Sequence, residues 1–137
     1  MNKLKFLPLL CLFFMLFAFT SCENEDDAKA SMIEGIWMYD DEEEEFGMCI
    51  VLNRDKTGVI VEGIFDEEKE VRYFRYTFDS KNMLLTITQN GEWPYEIDVY
   101  RLTPNQLTTI DEDGEIFTFK RYNGSKKELE RLLGISL

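Results

Sequence analysis

From Ile33 to Tyr122 the chain repeats one short unit, a run of β-branched and aromatic residues closed by a turn signal, about every ten residues. A backbone punctuated so often is suited to short antiparallel strands joined in sequence, as in an up-and-down sandwich or barrel. Eight strands are predicted: Ile33 to Tyr39, Phe46 to Asn53, Thr57 to Phe65, Val71 to Phe78, Met83 to Gln89, Tyr95 to Leu102, Gln106 to Ile110 and Glu115 to Tyr122. Asn90-Gly91 and Asp113-Gly114 supply the positive φ angles that tight hairpins require, which favours pairing between sequence neighbours.

Apolar and polar residues alternate most clearly in Phe74, Tyr76 and Phe78 against Arg75, Thr77 and Asp79, and in Leu85 and Ile87 against Thr86 and Thr88. Tyr95, Ile97 and Val99 repeat the pattern, as do Phe117 and Phe119, so each strand has one face in the core and one in water. The run Val59-Ile60-Val61 has no period of two, the mark of a strand covered on both faces; its register is left open. After Tyr122 the pattern becomes helical. Ser125-Lys126-Lys127-Glu128 forms a capping box, Leu129, Leu132 and Leu133 fall on one side, and Gly134 ends the helix. A helix this short is marginal alone, so its leucines should lie on the barrel wall or over one mouth.

The N-terminus carries a different signal. Lys3 and Lys5 precede an uncharged run from Phe6 to Phe19 and the small residues Thr20 and Ser21, the order of a cleavable signal peptide. A membrane span needs about 20 apolar residues, and this run is shorter and is followed at once by Glu23, Asn24, Glu25, Asp26 and Asp27. Phe19-Thr20-Ser21-Cys22 resembles a bacterial lipobox. The resemblance implies cleavage before Cys22, acylation of its thiol and amine with fatty acyl chains such as palmitate, and anchoring at an outer membrane. The acidic run after Cys22 is similar to the export signal of surface lipoproteins in Bacteroidota, which implies outward display. Two or three acyl chains hold a protein stably where one holds it marginally. The expected organisation is a signal peptide over 1–21, a lipidated Cys22 with an acidic tether to residue 32, and one domain over 33–137. At about 3.3 to 3.6 Å per residue the tether keeps the domain within roughly 35 Å of the bilayer.

Fifteen basic residues stand against 27 acidic ones, and loss of the leader would remove two lysines and no acid. Nucleic acid and anionic headgroups are therefore poor partners, since both are bound through clustered Lys and Arg. With Cys11 in the leader and Cys22 acylated, Cys49 is left alone in an apolar run, which reads as a small buried hydrophobe. The chain has no His, which removes His-based triads, Cys-His pairs and the common zinc sites. No P-loop, dinucleotide fingerprint or HExxH is present. The carboxylates cluster in polar turns, whereas a catalytic carboxyl needs an apolar setting. The run from Asp40 to Glu45 reads as a solvated hairpin loop, and Asp111 to Glu115 as a hairpin turn. No enzyme activity, cofactor or metal site is expected.

Gly35-Ile36-Trp37 opening the first strand, eight meandering strands, Arg121 in the last strand and a following helix together resemble the lipocalin-like domains of Bacteroidota lipoproteins over residues 33 to 133. That resemblance implies an all-β, eight-stranded up-and-down barrel with a short C-terminal helix. It implies that Trp37 closes the barrel floor, that Arg121 packs across it, and that Gly35 lets the chain pass beneath the ring. The expected interior is Met48, Ile50, Phe74, Tyr76, Phe78, Leu85, Ile87, Tyr95, Ile97, Phe117 and Phe119. An eight-stranded barrel either fills with side chains or holds one small ligand. The bulk of this set favours a mostly filled barrel or a shallow apolar mouth over a deep pocket. Two functions are expected to compete: a module binding a small apolar ligand or a surface protein, and a filled barrel acting as a structural or interaction subunit. The oligomeric state is open.

Overall fold

A computed structural model describes residues 27–41, 43 and 46–137, with Phe46 described by its backbone alone. The leader, Cys22 and the glutamates at 42, 44 and 45 lie outside the described residues. The predicted meander forms. β1 (Gly35–Asp41), β2 (Phe46–Leu52), β3 (Thr57–Glu62), β4 (Glu70–Asp79), β5 (Leu84–Thr88), β6 (Tyr95–Leu102), β7 (Gln106–Ile110) and β8 (Ile116–Arg121) pair in sequence order as a closed antiparallel barrel. Among the described residues no helix is long and apolar enough to cross a membrane.

Several strand ends differ by one to three residues from those read off the sequence, most at β1 and β3. The first strand starts at Gly35, because residues 27–32 are helical and Ile33 turns inward, fully buried. The expected extended tether is thus already helical over 27–32, where the rise falls to about 1.5 Å per residue. The third strand stops at Glu62, because Gly63 adopts φ 68° and turns the chain. β4 is the longest strand. Its first half pairs with β3 from Glu70 to Arg75 and its second with β5 from Arg75 to Asp79, the stagger that lets a sheet curl shut.

Closure is narrow. β1 and β2 pair along their whole length, whereas β1 and β8 meet through Trp37–Arg121 and Met38–Lys120, extended by the Tyr122 N–H donating to the Ile36 carbonyl at 2.8 Å. A seam with so few backbone bonds needs other ties.

The core has two layers. Inside the barrel, Trp37, Met48, Ile50, Leu52, Ile60, Phe74, Tyr76, Leu85, Ile87, Val99, Leu107 and Phe119 form one cluster. Outside, Cys49, Val51, Val59 and Val61 are covered by Leu129 and Leu133 of the C-terminal helix (Lys126–Leu133), with Ile135 and Leu137 of the tail packed beside them. This explains the missing period in β3: Ile60 faces the interior while Val59 and Val61 face the helix. The helix lies on the wall, not over a mouth. Ser125 Oγ accepts the Glu128 N–H at 3.1 Å, and Gly134 caps the other end at φ 69°. Leu132, expected on the packed side, is 67% exposed, so the buried stripe is Leu129 and Leu133.

Candidate functional site

Because the strands alternate direction, the connections after β2, β4 and β6 share one end of the barrel with the residues preceding β1, and this end is closed. Trp37, fully buried, donates its indole N–H to the Ile33 carbonyl at 2.9 Å. The Arg121 guanidinium lies with its Cζ 4.2 Å from the centre of the Trp37 ring. Its Nη1 donates to the Glu34 carbonyl at 2.7 Å, Nη2 to the Met32 carbonyl and Nε to the Pro104 carbonyl. One side chain therefore ties β8 to the chain entering β1 and to the β6–β7 turn, across the seam that backbone pairing leaves thin. Gly35 has φ 130°, and a Cβ there would stand 2.3 Å from Arg121 Nη1. Burial lowers the Arg121 pKa from its ordinary value, yet a guanidinium stays charged at any working pH.

Above this floor the barrel is hollow. A cavity of about 470 Å³ is walled by Met48, Ile50, Leu85, Ile87, Ile97 and Phe117, and it reaches a rim that includes Glu62, Asp111 and Glu115. Against the expectation of a mostly filled barrel or a shallow apolar mouth, the cavity reaches in as far as Leu52 and Leu107, so the interior is only partly filled. Phe74, Tyr76 and Phe78 pack into the same interior cluster without lining the cavity, so these three aromatics fill part of the interior while aliphatic side chains with Tyr39, Tyr95, Phe117 and Phe119 line the rest. Tyr39 stands edge-on to Phe117 with ring centres 5.3 Å apart and is 5.9 Å from Phe119, making one wall aromatic.

Every residue expected inside belongs to, or packs against, the interior cluster. The structure adds Tyr39, Leu52, Ile60, Leu107 and Thr109 to the cavity lining. Tyr39 and Leu52 follow from extending the period of two beyond Trp37 and Ile50. Leu107 and Thr109 had no such signal, since β7 reads Gln-Leu-Thr-Thr-Ile and its inward polar Thr109 breaks the apolar pattern. Ile60 was hidden by its apolar neighbours.

Two of the carboxylates around the cavity are engaged. Glu62 takes Arg72 Nη2 at 2.8 Å, and Asp111 Oδ1 accepts the N–H groups of Asp113 and Glu115 at 3.0 and 2.8 Å, shaping its own turn. Burial raises the Tyr95 pKa, with Arg72 opposing the rise. Near the floor, burial, with Glu34 and Asp55 adding to it, pushes the Tyr76 phenol up to about 12, and its hydroxyl donates to the Asn53 carbonyl at 2.6 Å. Cys49 sits outside the barrel beneath the helix, and burial raises its pKa to about 12. Among the described residues no three His, Cys, Asp or Glu side chains gather as a metal site. A second recess of about 400 Å³ runs along β3 and β4 beside Leu137, lined by Asn53, Thr57, Arg75 and Thr88 together with Val59, Tyr73 and Phe74.

No family model and no curated protein sequence matches the chain. Two solved structures are similar to it. One is the NMR structure of a protein from Bacteroides uniformis, 17% identical, covering 69% of this chain and 93% of its own at a TM-score of 0.57. The other is bovine odorant binding protein in complex with a selenium-containing odorant, 14% identical, covering 77% of this chain and 80% of its own at a TM-score of 0.39. At these identities the likeness to the Bacteroides protein is one of fold. By strand order, closure and C-terminal helix, the chain is a closed eight-stranded antiparallel up-and-down barrel with a short C-terminal helix.

Proposed function

We propose that this chain is a non-enzymatic, lipocalin-like binding module, held by lipid on Cys22 at a bacterial outer membrane, that takes one small apolar molecule through the open end of its barrel. The observation that carries the binding reading is the cavity of about 470 Å³ with its aliphatic and aromatic wall. Ligand pockets span roughly 300 to 1,000 Å³. Covering about 250 Å² of ligand hydrocarbon at about 25 cal/mol per Å² gives roughly 6 kcal/mol before the cost of association, which points to modest affinity. An apolar space left empty also lowers the stability of its host, so an occupant should raise the unfolding midpoint.

The test is uptake of a neutral naphthalene-type fluorescent probe by the purified protein, beside an Ile97→Trp variant in which the indole occupies the cavity. Bright, saturable binding to the native chain and none to a folded Ile97→Trp variant is expected. The reading fails if the native chain takes up no probe and natively purified protein carries no small molecule by mass spectrometry. The anchor is tested separately: protein extracted from membranes should carry the mass of acyl chains on Cys22, and an unmodified N-terminal cysteine would sink that part. A second reading, docking of a surface protein at the rim, is favoured by Trp93 and Phe65, which stand 92% and 59% exposed beside the mouth. Stable co-purification of one membrane protein with an unoccupied barrel would select it.

A further inference from the structure

The connections after β1, β3, β5 and β7 all fall at the mouth of the cavity, and their described charges are nearly all of one sign. Asp41 and Glu43 follow β1, Asp66, Glu67 and Glu68 follow β3, and Glu92 follows β5. The turn after β7 adds Asp111, Glu112, Asp113 and Glu115. Two cations oppose them. Lys69 Nζ donates to the Asp66 carbonyl at 3.2 Å. Arg72 shares the inward face of β4 with Phe74; its Nη2 is 2.8 Å from Glu62 and its Nε 3.8 Å from Glu70, so its charge is opposed by two carboxylates while its buried Nε makes no hydrogen bond. At the closed end Arg54, Lys56 and Lys81 stand with Asp55, Asp79 and Glu34, so charge is near balance there and the excess of acid lies at the mouth.

Apolar walls below a rim of one sign focus its field at the opening. Glu62, Asp111 and Glu115 line the cavity itself. We propose that the occupant of this cavity is a cationic amphiphile, its hydrocarbon body in the barrel and its ammonium or amidinium head among the carboxylates of the mouth, and that anionic amphiphiles of equal length are rejected. This rests on the ligand-binding reading above. Through water each unpaired carboxylate about 8 Å away changes affinity by roughly twofold, in opposite senses for cation and anion, so three or four of them separate the two by more than tenfold.

Calorimetric titration with decyltrimethylammonium, decanol and decanoate, each below its micelle concentration, decides it. In about 0.01 M salt the cation should bind at least tenfold tighter than decanoate, with decanol between, and about 1 M salt should collapse the gap while leaving decanol unchanged. The double variant Glu112→Gln, Glu115→Gln alters exposed side chains only and should narrow the gap at low salt several-fold. Decanoate binding as tightly as the cation, or a gap insensitive to salt, overturns the charge selection and leaves the cavity reading standing. Failure of all three, decanol included, overturns both.

Discussion

Arg121 bears more of this barrel than its place in a short strand suggests. Its three donors satisfy carbonyls of Met32, Glu34 and Pro104, and its face covers Trp37. Arg121→Ala leaves those carbonyls without a partner and the ring uncovered. A loss of about 2 to 4 kcal/mol is expected from urea unfolding, against roughly 1 kcal/mol if only one neutral hydrogen bond were at stake. Lysine reaches fewer acceptors and cannot lie flat on the ring, so Arg121→Lys should recover less than half of the loss. Gly35→Ala should be destabilising through both its φ of 130° and the contact with Nη1, and combining it with Arg121→Ala should cost less than the sum of the two. Cys49 has the opposite character: sealed beneath the helix with a pKa near 12, its thiol should resist iodoacetamide at pH 8 and react only as urea opens the chain. Rapid labelling under native conditions would contradict that placement. Cys49 could be singled out as the cysteine left over in an apolar run, whereas Trp37 and Arg121 were singled out through the resemblance carried by Gly35-Ile36-Trp37 and the last strand. The three carbonyl partners could not, since backbone acceptors leave no trace in residue identity.

The C-terminal helix shows how an element outside the barrel completes it. Leu129 and Leu133 cover the outward faces of β2 and β3, where Cys49, Val51, Val59 and Val61 would otherwise meet water. Leu129→Ala should destabilise by about 2 to 4 kcal/mol and Leu133→Ala nearly as much, while Leu132→Ala, at an exposed position, should fall within about 0.5 kcal/mol of the native chain. Removing the cap with Ser125→Ala should cost about 1 kcal/mol. Equal effects at Leu132 and Leu129 would mean that the helix presents a different face. Its ends were readable, since a serine with a glutamate three residues on and a closing glycine have direct capping roles. Which leucines pack was not, because Leu132 and Leu133 are neighbours on the helix and only the angle at which it meets the sheet separates them.

At the scale of the molecule, pH acts on the turns that hold the ends. Asp79 accepts from the Asn82 side chain at 2.7 Å and from the N–H groups of Lys81 and Asn82, and these bonds hold its pKa below the ordinary 3.8. Asp55 is lowered likewise, first by the Thr57 hydroxyl. A carboxyl whose folded pKa is depressed contributes stability above its unfolded value and loses it as pH falls through the folded one. The stability gap between the native chain and Asp79→Ala, measured by urea at a series of pH values, should therefore be constant near neutrality and shrink below pH 3.8. A gap that widened in acid would refute the assignment. The sequence by itself determined the strand count, the pairing of neighbours and most inward faces, because hairpin turns and a side-chain period of two are local properties. Tertiary structure alone decided that the barrel is hollow above a filled floor, since a cavity depends on which inward side chains reach past one another at a given stagger. It also decided that the acids of separate turns converge on one mouth, because closure gathers alternate turns at the same end of the barrel.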